Sequence, residues 1–275
     1  MRLLIFGLGY SAGVIAARLA PHGWRIAATT RDGRGDTIGF DDADRVAFEA
    51  KEATHILSSV PPGPDGDAVL NAYGDVLGGA RLSYLSSTGV YGDAGGGWVD
   101  ESAPIRGRRA GRNAADAAWL ARGARVFRLP GIYGPGRSPI ERVMAGEAHR
   151  TGIAGQVFSR IHVEDLAAGV IAGLDAPAGA YNLSDDFPCA QDDVMTFAAR
   201  LMNLPPPPIV PLEALSPAAR AFHAENRRVA NGKARRALNW RPVFADYRLG
   251  LRALKAITRP AIASSAPIAA SADQR

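Results

Sequence analysis

The chain has little cysteine, little lysine and no long apolar run. Its 275 residues contain one cysteine, Cys189. An intramolecular disulfide is therefore impossible, and a lone thiol without neighbouring ligands does not indicate a metal site. No segment reaches the ~18 consecutive apolar residues that a membrane helix needs. These absences argue against disulfide scaffolds, zinc modules and membrane-spanning proteins, and we expect a cytoplasmic protein that binds no metal.

Two further features bear on targeting and partners. The first residues combine a basic start with an apolar run, as a signal peptide does, but the sequence from Gly7 to Ser11 interrupts that run. The net charge of +5 comes mainly from scattered arginines, and lysine occurs only at 51, 233 and 255. Because no basic run is present, we expect a small-molecule substrate and neither nucleic acid nor membrane as a partner. Whether the chain forms a homodimer is left open.

Short apolar segments alternate with helical patterns along most of the chain. This alternation predicts an α/β fold, a Rossmann doubly wound parallel sheet followed by a smaller C-terminal substrate lobe. The predicted strands are 3–7, 24–30, 54–60, 81–87, 125–131 and 179–185. The predicted helices are 10–22, 138–148, 163–174, 191–203, 245–257 and one ending near Leu238.

The same pattern predicts the domain boundaries. Residues 1–131 should form the NAD(P)-binding domain, completed by about 160–184. Residues 132–159 and 185–258 should form the substrate lobe. The end of the chain, 259–275, is rich in proline, alanine and serine, which predicts a flexible tail.

The glycine-rich segment 7–13 lies between the first predicted strand and the first predicted helix. Gly7 would permit a tight turn, Gly9 would let the backbone approach a pyrophosphate, and either Ala12 or Gly13 would let the helix pack closely on the sheet. The start of that helix favours negative charge. We therefore predict a dinucleotide site whose cofactor contacts include Gly7, Gly9, Tyr10, Ser11, Ala12 and Gly13.

The second predicted strand ends beside a residue that would distinguish the two nicotinamide dinucleotides. Arg31 stands where dinucleotide folds place the side chain that contacts the adenosine ribose. An arginine suits the 2′-phosphate of NADP, whereas an acid would accept from the 2′-hydroxyl of NAD. NADP is favoured, and the neighbouring Asp32 keeps NAD as the alternative.

Five motifs, in their order along the chain, resemble those of the extended short-chain dehydrogenase/reductases, also called the NAD-dependent epimerase/dehydratase family. Together they span roughly residues 1–250. The motifs are GLGYSAG at 7–13, SSTGVYG at 86–92 followed by VDESAP, FRLPGIYGPGR at 127–137, RIHVEDLA at 160–167 and YNLSDD at 181–186.

The resemblance implies a catalytic hydroxyl, nicotinamide bound over the strand ends, and a set of cofactor contacts. Ser87 falls at the catalytic hydroxyl position, with Thr88 as the neighbouring candidate. Such a hydroxyl can hydrogen-bond a substrate carbonyl while another group moves the proton. The implied cofactor contacts after the first two strands are Ser58, Ser59, Val60, Pro61, Ser86, Pro130, Gly131 and Ile132.

The chain departs from the family where the YxxxK helix should follow VDESAP. Residues 104–120 contain neither tyrosine nor lysine, so the usual acid and base are missing. In this respect, and in its length and glycine spacing, the chain resembles an atypical YeeZ-like branch of the superfamily. Tyr91 could replace the lost tyrosine or serve only in packing. Arg108, Arg109 and Arg112 could hold phosphate or an acidic substrate, or form a solvated helix face.

These observations leave two main hypotheses about function. One is an NADP-dependent oxidoreductase or epimerase-like enzyme acting on a small polar or sugar-derived carbonyl or alcohol. The other is a non-catalytic NADP(H)-binding regulator or scaffold, which the missing YxxxK pair favours. A sugar-nucleotide epimerase ranks third, because that reaction normally needs the tyrosine that is absent here.

Overall fold

The computed structural model describes residues 1–258, so the tail predicted at 259–275 lies outside the described residues. Its strands are β1 Arg2–Phe6, β2 Arg25–Thr30, β3 Ile38–Gly39, β4 His55–Ser58, β5 Arg81–Ser87, β6 Trp98–Val99, β7 Arg125–Leu129, β8 Gly131–Tyr133, β9 Arg160–His162, β10 Gly179–Asn182 and β11 Arg228–Val229. Its α-helices are α1 Tyr10–Leu19, α2 Ala43–Glu52, α3 Ala68–Tyr73, α4 Ala110–Ala121, α5 Pro139–Met144, α6 Val163–Gly173, α7 Gln191–Leu201, α8 Pro217–His223, α9 Gly232–Ala237 and α10 Tyr247–Ile257.

Seven strands form one parallel sheet in the order β10-β7-β5-β4-β1-β2-β3. The order reverses between β1 and β4, and ligands of open α/β sheets bind outside the carboxyl ends of the strands at such a point. All six predicted strands belong to this sheet, and the predicted Rossmann-type fold is confirmed.

Both faces of the sheet are covered. Along β1, Leu3 and Ile5 belong to a cluster with α1 and α6, whereas Leu4 and Phe6 belong to a cluster with α2, α3 and α4. Because side chains alternate across a strand, a fully apolar strand must be buried on both sides. This explains why β1 has the continuous apolar sequence LLIF.

A separate apolar cluster holds the C-terminal helices together. Tyr133 after the sheet, Ile140 of α5, Met195 of α7 and Leu251 of α10 are buried within it. Helix α5 ends at Met144 and is shorter than predicted, because Gly146, with φ of +70°, follows it directly. The parallel pairs β8–β9 and β6–β11 were not predicted, since each strand has only two or three residues.

No helix within residues 1–258 is long and apolar enough to span a membrane.

Candidate active site

The glycine loop follows β1 at the carboxyl edge of the sheet. Gly7 has φ of +84°, and a Cβ there would lie 2.9 Å from Val60 Cγ2 and 3.2 Å from Ser59 Oγ. The Gly7 amide donates to Thr29 Oγ1 at 3.2 Å, and the Leu8 amide donates to the Thr29 carbonyl at 3.0 Å. Gly7 is therefore fixed by both conformation and packing, and it joins the ends of β1, β2 and β4.

Gly9 and Gly13 behave differently from Gly7. A Cβ at either position would meet nothing within 4 Å, so the protein's own packing does not require glycine there. At Gly9 this open space lies beside the first turn of α1. The open space at Gly13 shows that this residue does not make the close contact between helix and sheet. Ala12, the alternative, makes that contact, and its side chain is 1% exposed.

The first turn of α1 has no side-chain cap and no acidic residue. The first amides of a helix have no partner within the helix, and their partial positive charge attracts an anion. Tyr10 stands at this end, and its hydroxyl donates to the Pro135 carbonyl at 3.0 Å. The loop, the uncapped helix and the open face at Gly9 together fit a diphosphate.

Arg31 is exposed immediately after β2, two residues beyond Thr29. Neither its side chain nor that of Asp32 forms a hydrogen bond or ion pair with another part of residues 1–258. The Arg34 amide donates to Thr30 Oγ1 at 3.2 Å, which folds the following turn back toward the strand end. Arg34 is exposed at the same corner and was not predicted, although the spacing RDGR could have revealed a second cation.

The residues after β4 divide into two groups. Ser58 is fully buried, and its hydroxyl has no hydrogen-bond partner within residues 1–258. We therefore withdraw Ser58 as a side-chain contact for a cofactor. Ser59 donates to the Gly7 carbonyl, and Val60 packs on the same glycine. These two residues and the exposed Pro61 remain at the edge of the sheet.

The end of β5 brings Ser87 and Thr88 to a cleft between the sheet and the C-terminal helices. Ser87 Oγ accepts from the Gly89 amide at 3.1 Å, so its proton stays free to be donated. Thr88 is more buried, and its hydroxyl lies 3.5 Å from the Leu129 carbonyl. Ser86 faces the opposite way and donates to Asp116 Oδ2 at 2.6 Å, so we do not retain it as a cofactor contact.

Tyr91 does not lie on the cleft. Its hydroxyl donates to Asn182 Oδ1 at 2.7 Å and accepts from Arg128 Nη1 at 3.0 Å. Arg128 in turn forms a buried two-point ion pair with Asp116 of α4, with its shorter contact at 2.7 Å. Burial raises the pKa of Tyr91, the opposite of what a proton-transferring tyrosinate needs. This is the packing role, and we do not carry Tyr91 forward as a catalytic candidate.

The cleft has a volume of about 870 Å³ and is rich in arginine. Seven arginines and three glutamates line it. The expected nicotinamide contacts Pro130, Gly131 and Ile132 also line it, as do Arg108, Arg109 and Arg112. The segment that lacks YxxxK therefore forms a basic wall of the cleft.

Arg227 is a site residue that the sequence did not reveal. Its Nη2 lies 4.0 Å from the position of a Cβ built on Gly89, and Ser87 Oγ lies 3.3 Å from the same point. Arg227 Nη1 donates to the Gly92 carbonyl and to Glu225, which also accepts from Arg108 at 2.7 Å. No local pattern signals this arginine, because it comes from the C-terminal part of the chain.

The motif RIHVEDLA joins the sheet to the C-terminal helices. Arg160 donates to the Phe158 and Cys189 carbonyls and to Gln191. Asp165 accepts from the Val243 and Phe244 amides at 2.8 and 2.9 Å. His162 Nδ1 accepts from the Glu164 amide at the start of α6, and burial lowers the pKa of His162 to about 4. These contacts give the histidine a structural role.

Comparisons with known proteins place this geometry in context. No family model matches the chain. The structure of a functionally unknown conserved protein from Silicibacter pomeroyi is 39% identical, with a TM-score of 0.82, and the alignment covers 93% of this chain and 98% of that one. Protein YeeZ of Escherichia coli is 29% identical in an alignment of 238 positions. The alignment covers 75% of this chain and 85% of YeeZ.

Two more distant structures share the fold and contain a dinucleotide. MoeE5, solved with UDP-glucuronic acid and NAD, has a TM-score of 0.74 at 18% identity, covering 93% of this chain and 98% of MoeE5. Human epimerase family protein SDR39U1, solved with NADPH, has a TM-score of 0.73 at 16% identity, covering 94% and 100%. At these identities the likeness shows the fold alone.

A doubly wound parallel sheet with a glycine loop at its switch point defines the fold as Rossmann-type. Within that fold, the chain is similar over most of its length to protein YeeZ and to the Silicibacter pomeroyi protein, and it shares its fold with structures of epimerase-type proteins.

Proposed function

We propose that the chain is an NAD(P)-binding oxidoreductase or epimerase-like enzyme that acts on a small polar or sugar-derived carbonyl or alcohol. The observation that carries this proposal is the uncapped first turn of α1 beside the open face of Gly9. Relatives solved with NAD and with NADPH support a nicotinamide dinucleotide as the cofactor.

In the proposed function, one part of the chain binds the cofactor and another binds the substrate. Residues 1–131, completed by about 160–184, would hold the cofactor, and residues 132–159 and 185–258 would hold the substrate. Cofactor contacts would come from the glycine loop and α1, namely Gly7, Gly9, Tyr10, Ser11, Ala12 and Gly13. The others would come from the remaining strand ends, namely Arg31, Ser59, Val60, Pro61, Pro130, Gly131 and Ile132.

A bound nicotinamide supplies or accepts hydride at a carbonyl or alcohol carbon. Ser87 would orient the substrate oxygen, since its hydroxyl proton is free and it lies in the cleft. Thr88 would support the same strand end. Arg227, close to Ser87, would stabilise negative charge that develops on the oxygen. The proton donor is not among the residues we assign.

The preference for NADP over NAD depends on Arg31. Calorimetric titration with NADP⁺ and NAD⁺ should show tighter binding of NADP⁺, because a guanidinium pairs with the 2′-phosphate. Arg31→Ala should weaken NADP⁺ by about tenfold or more, while NAD⁺ changes little. Arg25→Ala is the matched control, since Arg25 is exposed at the other end of β2. Failure of wild-type protein to bind either dinucleotide at millimolar concentration would refute the proposal.

A non-catalytic regulator or scaffold that binds NADP(H) is the second candidate. It is favoured by α4, which carries neither tyrosine nor lysine, and by the burial of Tyr91. NADPH oxidation with a panel of carbonyl compounds, abolished in Ser87→Ala, would support the enzyme. Tight NADPH binding without turnover, together with cofactor-dependent capture of a partner protein, would support the regulator.

A further inference from the structure

The cleft carries an excess of positive charge that the protein does not neutralise. Of the seven arginines that line it, Arg108 and Arg227 are paired with Glu225, and Arg160 donates to two carbonyls and to Gln191. The other four form no side-chain hydrogen bond or ion pair within residues 1–258. These four are Arg109, Arg112, Arg137 and Arg142.

The acidic side chains offset this charge only in part, because seven arginines against three glutamates leave a net charge of +4 in the lining. Glu225 is held by two arginines, at 2.7 Å from Arg108 and 2.6 Å from Arg227. The Glu141 carboxylate accepts from Ser138 and Gly136 in the first turn of α5. Only Glu147 has a carboxylate without such partners among the lining residues that the structure describes. The field inside the cleft therefore favours an anion.

Two of the unpaired arginines line the same cleft as Ser87 and come from one segment of the chain. Arg109 caps α4 and Arg112 lies in its first turn, so both belong to the segment that replaces YxxxK. Arg108 donates to the Ala221 carbonyl and so ties this segment to α8. The segment is thus joined to α8, and Arg109 and Arg112 line the same cleft as Ser87.

An apolar surface of aromatic rings lies next to the Ala221 carbonyl that Arg108 contacts. Phe222, next to Ala221, is 52% exposed. Its ring stacks on Phe158 with centroids 4.4 Å apart and an angle of 11° between planes. An exposed aromatic ring in a cleft that also contains unpaired guanidiniums can accommodate a flat compound that carries an acid group.

Resting on the proposed function, we infer that the substrate is an organic acid whose acid group is bound by Arg109 and Arg112 while its carbonyl or alcohol oxygen lies at Ser87. The acid group is a carboxylate or a phosphate, since both pair with guanidinium. On this account the arginines occupy the position of the missing tyrosine and lysine but serve to bind the substrate.

Calorimetry on NADP⁺-loaded protein tests this with two matched pairs of probes. 4-Formylbenzoate is compared with benzaldehyde, and glyceraldehyde 3-phosphate with glyceraldehyde, so that each pair differs mainly in the acid group. In at least one pair the acid should bind about tenfold or more tightly than the neutral compound. The pair that shows the difference identifies the acid group as carboxylate or phosphate.

The variants separate specific binding from general charge. Arg109→Gln with Arg112→Gln should weaken the acid by about tenfold or more and leave the neutral probe unchanged. The control, Arg45→Gln with Arg106→Gln, removes the same charge from exposed positions that do not line the cleft, and should change binding less than about twofold. Unchanged NADP⁺ affinity and melting temperature will show that both double variants fold.

Three outcomes would overturn the inference: equal binding of acid and neutral probes, acid binding that does not depend on the two arginines, or no acid binding by folded wild-type protein at millimolar concentration. The same titrations on cofactor-free protein keep this test separate from the proposed function. If NADP⁺ fails to bind, the proposed function fails, and the arginine dependence of acid binding is still measured.

Discussion

Two helices begin at the carboxyl edge of the same sheet, and they differ in the groups that they would offer to an anion. Helix α1 follows β1 through a glycine loop and has no basic side chain in its first turn. Helix α4 follows β5 through a longer loop and carries Arg109 and Arg112 at its start. Neither helix has a side-chain cap or an acidic residue in its first turn. In the proposed function, backbone amides would bind the anion at α1, whereas arginine side chains would bind it at α4.

The difference explains why one region keeps the family's motif and the other does not. A backbone cradle needs glycine at fixed spacing, because Gly7 has a positive φ and Gly9 must leave open space. A side-chain wall needs only enough charge near the substrate, which many sequences can supply. In the proposed function, the role of α4 can therefore differ while the glycine loop keeps its spacing.

The largest expected effect comes from the ion pair that holds α4 on the sheet. Asp116→Asn would leave Arg128 buried without a counter-charge, and we expect a loss of about 3–5 kcal/mol in the free energy of unfolding, measured with urea. Glu164→Gln removes the partner of Arg18 in an ion pair whose two side chains are both exposed, and it should cost about 1 kcal/mol or less. Similar losses in the two variants would show that the buried Asp116–Arg128 pair does not hold α4 on the sheet.

The free energy of unfolding should fall in acid because of His162, which lies where the sheet joins the C-terminal helices. Burial lowers the pKa of His162 from 6.5 to about 4, so the unfolded state binds the proton more readily than the folded state. This contribution to stability is present above pH 6.5 and is lost as pH falls toward 4, by about 2–3 kcal/mol at pH 4.5. His162→Asn keeps an acceptor for the Glu164 amide but does not titrate.

Urea unfolding at pH 7 and pH 4.5 checks this expectation. The loss on acidification should be smaller in His162→Asn than in the wild type by about the same 2–3 kcal/mol. An identical loss in both proteins would assign the acid sensitivity to other groups.

The smallest effect on stability distinguishes the two glycines of the loop. Gly7→Ala should destabilise the protein by about 1–2 kcal/mol, because φ is +84° and the new Cβ would meet Val60. Gly9→Ala should leave the unfolding free energy nearly unchanged and still weaken NADP⁺ in calorimetry, since its Cβ would fill the space proposed for the diphosphate. Normal NADP⁺ affinity in Gly9→Ala would contradict the proposed cradle.

Sequence reasoning worked best where neighbours in the chain are neighbours in space. The six strands, the glycine loop and the positions of Ser87 and Arg31 follow from local periodicity and from motifs in a fixed order. The burial of the Ser58 and Ser86 hydroxyls had no signal in the sequence, although the last residues of a strand alternate between its two faces. The burial of Tyr91 under Asn182 and Arg128 also had no local signal.

The sequence by itself determined the fold and the place of the glycine loop, because the apolar period, the glycine spacing and the strand-ending residues each depend on a few neighbouring positions. Tertiary structure alone decided which side chains share the cleft. Arg227, which precedes β11, approaches Gly89 beside Ser87, and Arg108, just before α4, donates to the Ala221 carbonyl of α8. Such approaches depend on how the C-terminal helices pack on the sheet, and packing between distant segments has no pattern within either one.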